Sequence, residues 1–287
     1  MHETNHLILP SANATPDFEQ GSIFFVGTAT VILRYAGFTI LTDPNFLHQG
    51  DHIHVGYGIQ ATRRTNPAID IEELPPLDLV VLSHKHDDHF DHIAAEKLDK
   101  NLPIVTTAHA ARSLSKQGFQ AIYPLDTWET LHLQKGNALL QITAMPARHG
   151  PGILAAALPT VMGSMLDFQT SEGQRRFRIY ITGDTLVYDQ LKEIPKRYSD
   201  IDIALIHLGG TQVFGILLTM DAKQGVEAIQ IIAPRLAVPI HYNDYTIFKS
   251  PLEDFVQAVR EAGLEDRVRY LSHGETLNFG VASRLQA

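Results

Sequence analysis

The sequence predicts an α/β fold arranged as a four-layer αββα sandwich, and three observations lead there. Apolar, β-branched runs of strand length alternate along the chain with stretches of helical periodicity. The order is hairpins, then strand–helix units, then hairpins and strand–helix units again, so each half supplies a sheet and its covering helices. The chain has 287 residues, is 44% hydrophobic and shows no short-period repeat, which suits one large core and argues against a solenoid.

Residues 1–20 read as a polar N-terminal arm, and 21–287 as a single domain without a linker-like break. Ser22–Val26 and Thr30–Tyr35 are apolar and β-branched, and Gly37 marks the turn into a strand over Phe38–Thr42. Residues 44–77 form a long loop rich in His, Gly, Arg and Pro, a length that points to function. Leu79–Leu82 is a short, fully apolar run, the pattern of a buried strand. Helices are expected over Asp91–Lys100 and Ala108–Lys116, with a strand over Pro103–Thr106 between them. Glu129–Leu133 and Ala138–Ala144 make one hairpin, and Met162–Gln169 and Arg175–Thr182 a second. Ile201–Ile206 and Leu236–Ile240 are further strands, flanking a helix over Asp221–Ile232 with Asp221 at its N-cap. Ser250-Pro251 reads as the start of a last helix, Ser at the cap and Pro in the first position. Val268–Leu271 and Thr276–Phe279 are short closing strands.

Charge and composition exclude several functions. A net charge of −9 argues against a general nucleic-acid binder. The absence of cysteine rules out a disulfide scaffold, a thiolate zinc site and a cysteine nucleophile. The N-terminal stretch lacks the basic start and apolar core of a secretory signal. No run approaches the ~18 apolar residues of a membrane span. These features suggest a cytoplasmic protein with no nucleic-acid partner. Fifteen histidines, in contrast, direct attention to metal and acid–base chemistry.

The densest group is Ser83-His84-Lys85-His86-Asp87-Asp88-His89-Phe90-Asp91, directly after the buried run Leu79–Leu82 and before a helix. His84, His86, Asp88 and His89 supply neutral nitrogen and hard oxygen donors at a turn that can aim them at one point. Three more donors sit at or just beyond strand ends, where α/β folds gather functional groups: His149, Asp184 and His241. Asp43, in Thr42-Asp43-Pro44, is placed to accept the free N–H of a ligating imidazole and fix its tautomer.

This arrangement resembles the metallo-β-lactamase superfamily, whose pattern is H-x-H-x-D-H followed by His, Asp and His. The resemblance implies that His84, His86 and His149 hold one metal, that Asp88, His89 and His241 hold a second, and that Asp184 bridges the two. Gly27-Thr28-Ala29-Thr30-Val31-Ile32-Leu33 followed by Thr42-Asp43-Pro44 is similar to the opening of one branch. That branch contains ascorbate-6-phosphate lactonase and N-acyl-phosphatidylethanolamine-hydrolysing phospholipase D, with Thr28 here in place of the usual histidine. His86 stands where the di-iron redox branch has glutamate, so redox chemistry is not expected.

The implied activity is that of a dinuclear metal-dependent hydrolase using a bridging hydroxide, with Asp88 orienting the nucleophile. The similarity to the phospholipase suggests a phosphodiester, with a small-molecule or lipid-derived substrate. A lactone or other carboxylic ester is the alternative, since lactonases share these ligands. A metal-binding module without catalysis is the reading from another class. Zinc is the default for five His and two Asp, with manganese or iron as alternatives. His207, at the end of a strand beside the cluster, is a candidate general acid. His54, Tyr57 and Arg63 in the long loop, and His273 near the end of the chain, are candidates for substrate contact.

Overall fold

The computed structural model describes residues 6–11, 15–56, 59–152, 155 and 158–280. The N-terminal half carries strands β1 (His6–Ile8), β2 (Gln20–Gly27), β3 (Thr30–Tyr35), β4 (Phe38–Thr42), β5 (His52–Gly56), β6 (Ile59–Thr62), β7 (Leu79–Val81), β8 (Ile104–Thr106) and β9 (Ile122–Pro124). The rest carries β10 (Thr130–Lys135), β11 (Ala138–Met145), β12 (Gly163–Thr170), β13 (Arg175–Ile181), β14 (Ile203–His207), β15 (Gly209–Val213), β16 (Ile216–Leu217), β17 (Leu236–Ile240), β18 (Phe248–Ser250) and β19 (Thr276–Gly280). The helices are α1 (His92–Lys97), α2 (Ala108–Lys116), α3 (Glu193–Arg197), α4 (Ala222–Ile232) and α5 (Leu252–Glu261).

Two seven-stranded sheets form the centre, in the orders β19-β2-β3-β4-β7-β8-β9 and β1-β10-β11-β12-β13-β14-β17. Alternation along each strand decides which side chains enter the seam between them. In the first sheet Ile23, Phe25, Val31, Leu33, Tyr35, Phe38, Ile40, Leu79 and Val81 belong to the large shared core. Their neighbours Val26, Ile32, Leu41, Val80 and Ile104 face the other way, against Ala94 and Leu98 of the α1 segment, Ala110 and Leu114 of α2, and Phe119. The second sheet is covered by α3, α4 and α5 through Ile194, Val226, Ile229, Phe255 and Val259. The four layers the sequence predicts are therefore present: helices, sheet, sheet, helices.

Differences from the expected elements have local causes. Within the segment read as an arm, His6–Ile8 is a strand, paired in parallel with His132–Gln134 on β10. It attaches to the second sheet, whereas β19 attaches to β2 of the first, so the strands nearest the two chain ends each close the edge of the other half's sheet. The 44–77 segment is not all loop: β5 and β6 form a hairpin there, and Ile71–Glu73 is a single 3-10 turn. Val268–Leu271 reduces to one bridge, Val268 with Ala237. Ser250 ends β18 instead of starting a helix; its Oγ accepts the Ala222 N–H at 3.0 Å and so caps α4, leaving Pro251 as the N-cap residue of α5. A third, small sheet, β16-β15-β18, has strands too short to show an alternation.

Candidate metal centre

The site is assembled at one edge of the sandwich because the strands that feed it run the same way. β4 and β7 are parallel, as are β13, β14 and β17, and their C-terminal ends lead to Asp43, Ser83–Asp91, Asp184, His207 and His241. The three residues of β7 are fully buried, which fixes the point where the chain leaves the sheet. The turn that follows is closed by His89 and Phe90 N–H bonds to the His86 carbonyl. It ends where Asp91 caps α1, its carboxylate accepting the Ala94 N–H at 2.8 Å. Between these two anchors His84, His86, Asp88 and His89 are displayed. Asp184 leaves β13 through Gly183, whose φ is +61°. A Cβ at Gly183 would stand 2.5 Å from the Met162 carbonyl oxygen, so glycine is required for this close approach.

Three groups of donors converge, the third, Asp43–His89–His207, lying behind the second and sharing His89 with it. Within His84–His86–His149, and within Asp88–His89–Asp184–His241, ligand atoms lie within 4.8 Å of one another. All but His86 are buried. His84 Nε2 and His86 Nδ1 are 2.8 Å apart. His149 Nδ1 lies 3.0 Å from the Leu218 carbonyl, and His241 Nδ1 3.2 Å from the Leu208 carbonyl. A carbonyl only accepts, so these rings carry their N–H on Nδ1 and turn Nε2 inward. His89 Nδ1 donates to Asp43 Oδ2 at 3.0 Å, the kind of contact the position of Asp43 suggested. Asp43 is held in turn by the Ser83 N–H at 2.7 Å and the Ser83 hydroxyl at 2.9 Å.

Electrostatics divide the centre. Burial, with His89 and His86 nearby, pushes His84 well below the ordinary imidazole range. Burial and His149 take His86 down to about 4, so both rings are neutral nitrogen donors at pH 7. In the other set burial opposes charge, but the carboxylates outweigh it: Asp184, Asp88 and Asp43 hold His89 well above its usual value. His241 is raised in the same way by Asp184 and Asp88. Burial would raise Asp88 and Asp184, yet His89 and His241 hold both carboxyls below the usual range. This is a group of donors that calls for positive charge at its centre. Buried His89 Nε2 and Asp184 Oδ1 have no hydrogen-bond partner, though His89 Nε2 is 3.2 Å from Asp184 Oδ2. Unpaired buried polar atoms are costly, and ligation of a cation is the chemistry that satisfies a nitrogen and a carboxylate oxygen together. The donor set therefore fits divalent metal ions.

A small cavity of about 20 Å³ opens over the centre. It is lined by His86, Asp88, His149 and Asp184, by His54 and Thr211, and by Ile53, Leu158, Leu218 and Ile247. Of the residues expected near substrate, His54 is in this lining, and Tyr57 lies outside the described residues. Three others are placed elsewhere. His207 is 0% exposed, with Nδ1 3.2 Å from the Thr182 hydroxyl and Nε2 3.4 Å from Asp43 Oδ2. Both its nitrogens are engaged behind the centre, so it is not placed to protonate a leaving group. Arg63 is 1% exposed and bonded to Asn45 and to the Thr65 carbonyl, not to the cavity. His273 stacks edge-on to Phe25 and pairs through Nε2 with Asp244 Oδ1 at 3.2 Å. Ser83, Asn45, Asp244 and the apolar cavity wall carry no individual signal in the sequence, although Asn45 directly follows the Thr42-Asp43-Pro44 motif.

Such an architecture, with such donors at its edge, places the protein among the metal-dependent hydrolases of the metallo-β-lactamase fold. Residues 39–242 match the family model described as "Beta-lactamase superfamily domain", and the chain belongs to that family. It is 26% identical over 195 residues to a Nanoarchaeum equitans protein named "UPF0173 metal-dependent hydrolase", covering 68% of this chain and 83% of that one. Among solved structures, an isothiocyanate hydrolase from Delia radicum gut bacteria superposes with a TM-score of 0.75 at 20% identity, over 90% of this chain and 99% of that one. A possible metal-dependent hydrolase from Veillonella parvula gives a TM-score of 0.75 at 19% identity, over 91% and 99% of the two chains. Among the described residues no helix is long and apolar enough to cross a membrane.

Proposed function

We propose that the protein hydrolyses a small, uncharged carboxylic ester or lactone with the help of two divalent cations, zinc being the default. His84, His86 and His149 would hold one, and Asp88, His89 and His241 the other, with Asp184 shared between them. Cations so placed supply an acidified water as nucleophile and Lewis acidity toward the substrate oxygen. Support comes above all from the buried pair of donor sets, in which His89 Nε2 and Asp184 Oδ1 have no hydrogen-bond partner among the described residues.

The chain's own residues do the rest. Asp88 lines the cavity as a carboxylate kept ionised by His89 and His241, so it accepts a hydrogen bond from the attacking water and orients it. Asp43 fixes the ring of His89 through Nδ1. Ile53, Leu158, Leu218 and Ile247 form an apolar wall over the centre that limits the access of water. The similarity to the phospholipase suggests a phosphodiester instead. No Lys or Arg among the described residues lines this cavity to meet a phosphate charge, and on that ground we take a neutral carbonyl compound as the first substrate to test.

The test is initial rates of the zinc-loaded protein on short-chain chromogenic esters, a lactone panel and a chromogenic phosphodiester, with Asp88→Ala beside it. Turnover of esters or lactones, lost in the variant, supports the reading. Turnover of the phosphodiester alone overturns the substrate class. Two bound cations with no turnover of any substrate favours the metal-binding module.

A further inference from the structure

Among the described residues Arg63 is the largest side chain buried to this degree, and the reaction gives it no task. It sits in a polar network that reaches the metal centre from behind. Its Nη1 donates to Asn45 Oδ1, and its Nε to the Thr65 carbonyl at 3.1 Å. Asn45 Oδ1 also accepts from the Tyr245 hydroxyl at 3.0 Å and the Thr28 hydroxyl at 3.3 Å. Three donors thus fix one amide, and the amide's own N–H groups point onward. Asn45 Nδ2 donates to the Asp87 carbonyl at 3.0 Å and to Asp91 Oδ2 at 3.3 Å. The first of these clamps the peptide that presents Asp88. On the other side, Asp244 Oδ2 accepts the Thr28 N–H at 2.9 Å, and the Thr28 carbonyl accepts the His241 N–H at 2.6 Å. Thr28 and His241 both hold left-handed φ values, 51° and 61°, which non-glycine residues keep only when surrounding contacts impose them.

The network therefore holds the backbone at Asp88 and at His241, whose side chains face each other at 3.4 Å. In the other donor set His84 meets the Ser83 hydroxyl at 3.0 Å and His149 the Leu218 carbonyl at 3.0 Å, neither of which is bonded to Arg63 or Asn45. We propose that Arg63 and Asn45 are positioning residues that set the affinity of the Asp88–His89–His241 cation position and leave the His84–His86–His149 position unchanged. This rests on the two-cation reading above.

The experiment is equilibrium zinc titration against a competing chelator, with metal content measured on the dialysed protein, for wild type, Asn45→Ala, Arg63→Lys and Tyr245→Phe. Wild type binding two equivalents upholds the reading; binding of fewer overturns the reading itself. Given two in the wild type, Asn45→Ala and Arg63→Lys should weaken one equivalent by about 10–100-fold, the usual effect of losing a group that orients a ligand. The other equivalent should keep its affinity. Arg63→Lys retains the charge and loses the fork, so its failure to restore binding assigns the effect to geometry. Should either variant not fold, Tyr245→Phe deletes a single hydroxyl and should shift the same equivalent in the same direction. Equal weakening of both equivalents, or of neither, overturns the proposal.

Discussion

Gly183 and Asp244 show how much of the site depends on residues that touch no substrate. Alanine at Gly183 must adopt φ near +61° and push its methyl group against the Met162 carbonyl. The left-handed conformation alone costs roughly 1–2 kcal/mol. Gly183→Ala should therefore lower the unfolding free energy by at least that amount in denaturant titration and reduce metal content by displacing Asp184. Asp244 gives a pH signature. Burial would raise its carboxyl, but His273, Thr65 and Arg63 hold it below the ordinary value. A carboxyl depressed in the folded state contributes stability that is fully present above its unfolded pKa and is lost as pH falls through the folded one. Wild type should thus lose stability relative to Asp244→Asn as pH drops below about 4. Parallel stability curves for the two proteins down to pH 2 would contradict this.

At the scale of elements, α4 depends on two side chains from different places. Asp221 accepts the Gln224 N–H at 2.9 Å, and Ser250 Oγ accepts the Ala222 N–H from the end of β18. Asp221→Ala should cost about 0.5–2 kcal/mol, the usual value of an N-cap. Ser250→Ala should speed amide exchange in the first turn of α4 and leave α5 unchanged, the reverse of what the sequence suggests. Ser250-Pro251 has the composition of a helix start, and nothing local reveals that its hydroxyl serves a helix some thirty residues earlier. The helix over Ala108–Lys116, in contrast, was legible to its boundaries, because Thr107 caps it locally and its apolar positions repeat at helical spacing. The same rule governs the short strands. β15, β16 and β18 are stabilised by one another, and Gly209–Val213 and Phe248–Ser250 lack the apolar run that reveals β4, β7 and β17.

For the whole molecule, the fold class and the convergent donors were legible because donors follow strand ends and strands have a pattern. The back of the centre was not. Asn45 and Arg63 come from the 44–77 segment and Asp244 and Tyr245 from the segment after β17; they meet only in the folded chain, and a buried arginine reads in sequence like any solvated one. His207 misled for a related reason: its strand-end position is genuine, but a sequence does not say that Asp43 and Thr182 occupy both its nitrogens. The centre also draws donors from both sheets, so cations should stabilise the entire sandwich. A cation at a thousandfold its Kd adds about 4 kcal/mol. Chelation should then lower Tm by about 10 °C for a chain of this size, reversibly on adding zinc. A Tm indifferent to chelator and to added zinc would argue against resident cations.

The exchange of edge strands bears on how the molecule is made. β19 completes the sheet begun by β2, and β1 waits for β10 before it has a partner. The second sheet has all its strands once Ile240 has been made, but β2 of the first sheet stays without its β19 partner until Thr276–Gly280 follows. The gathering of His149, Asp184 and His241 around the donors of the first sheet needs the chain through His241, whereas β19 is added about thirty-five residues later.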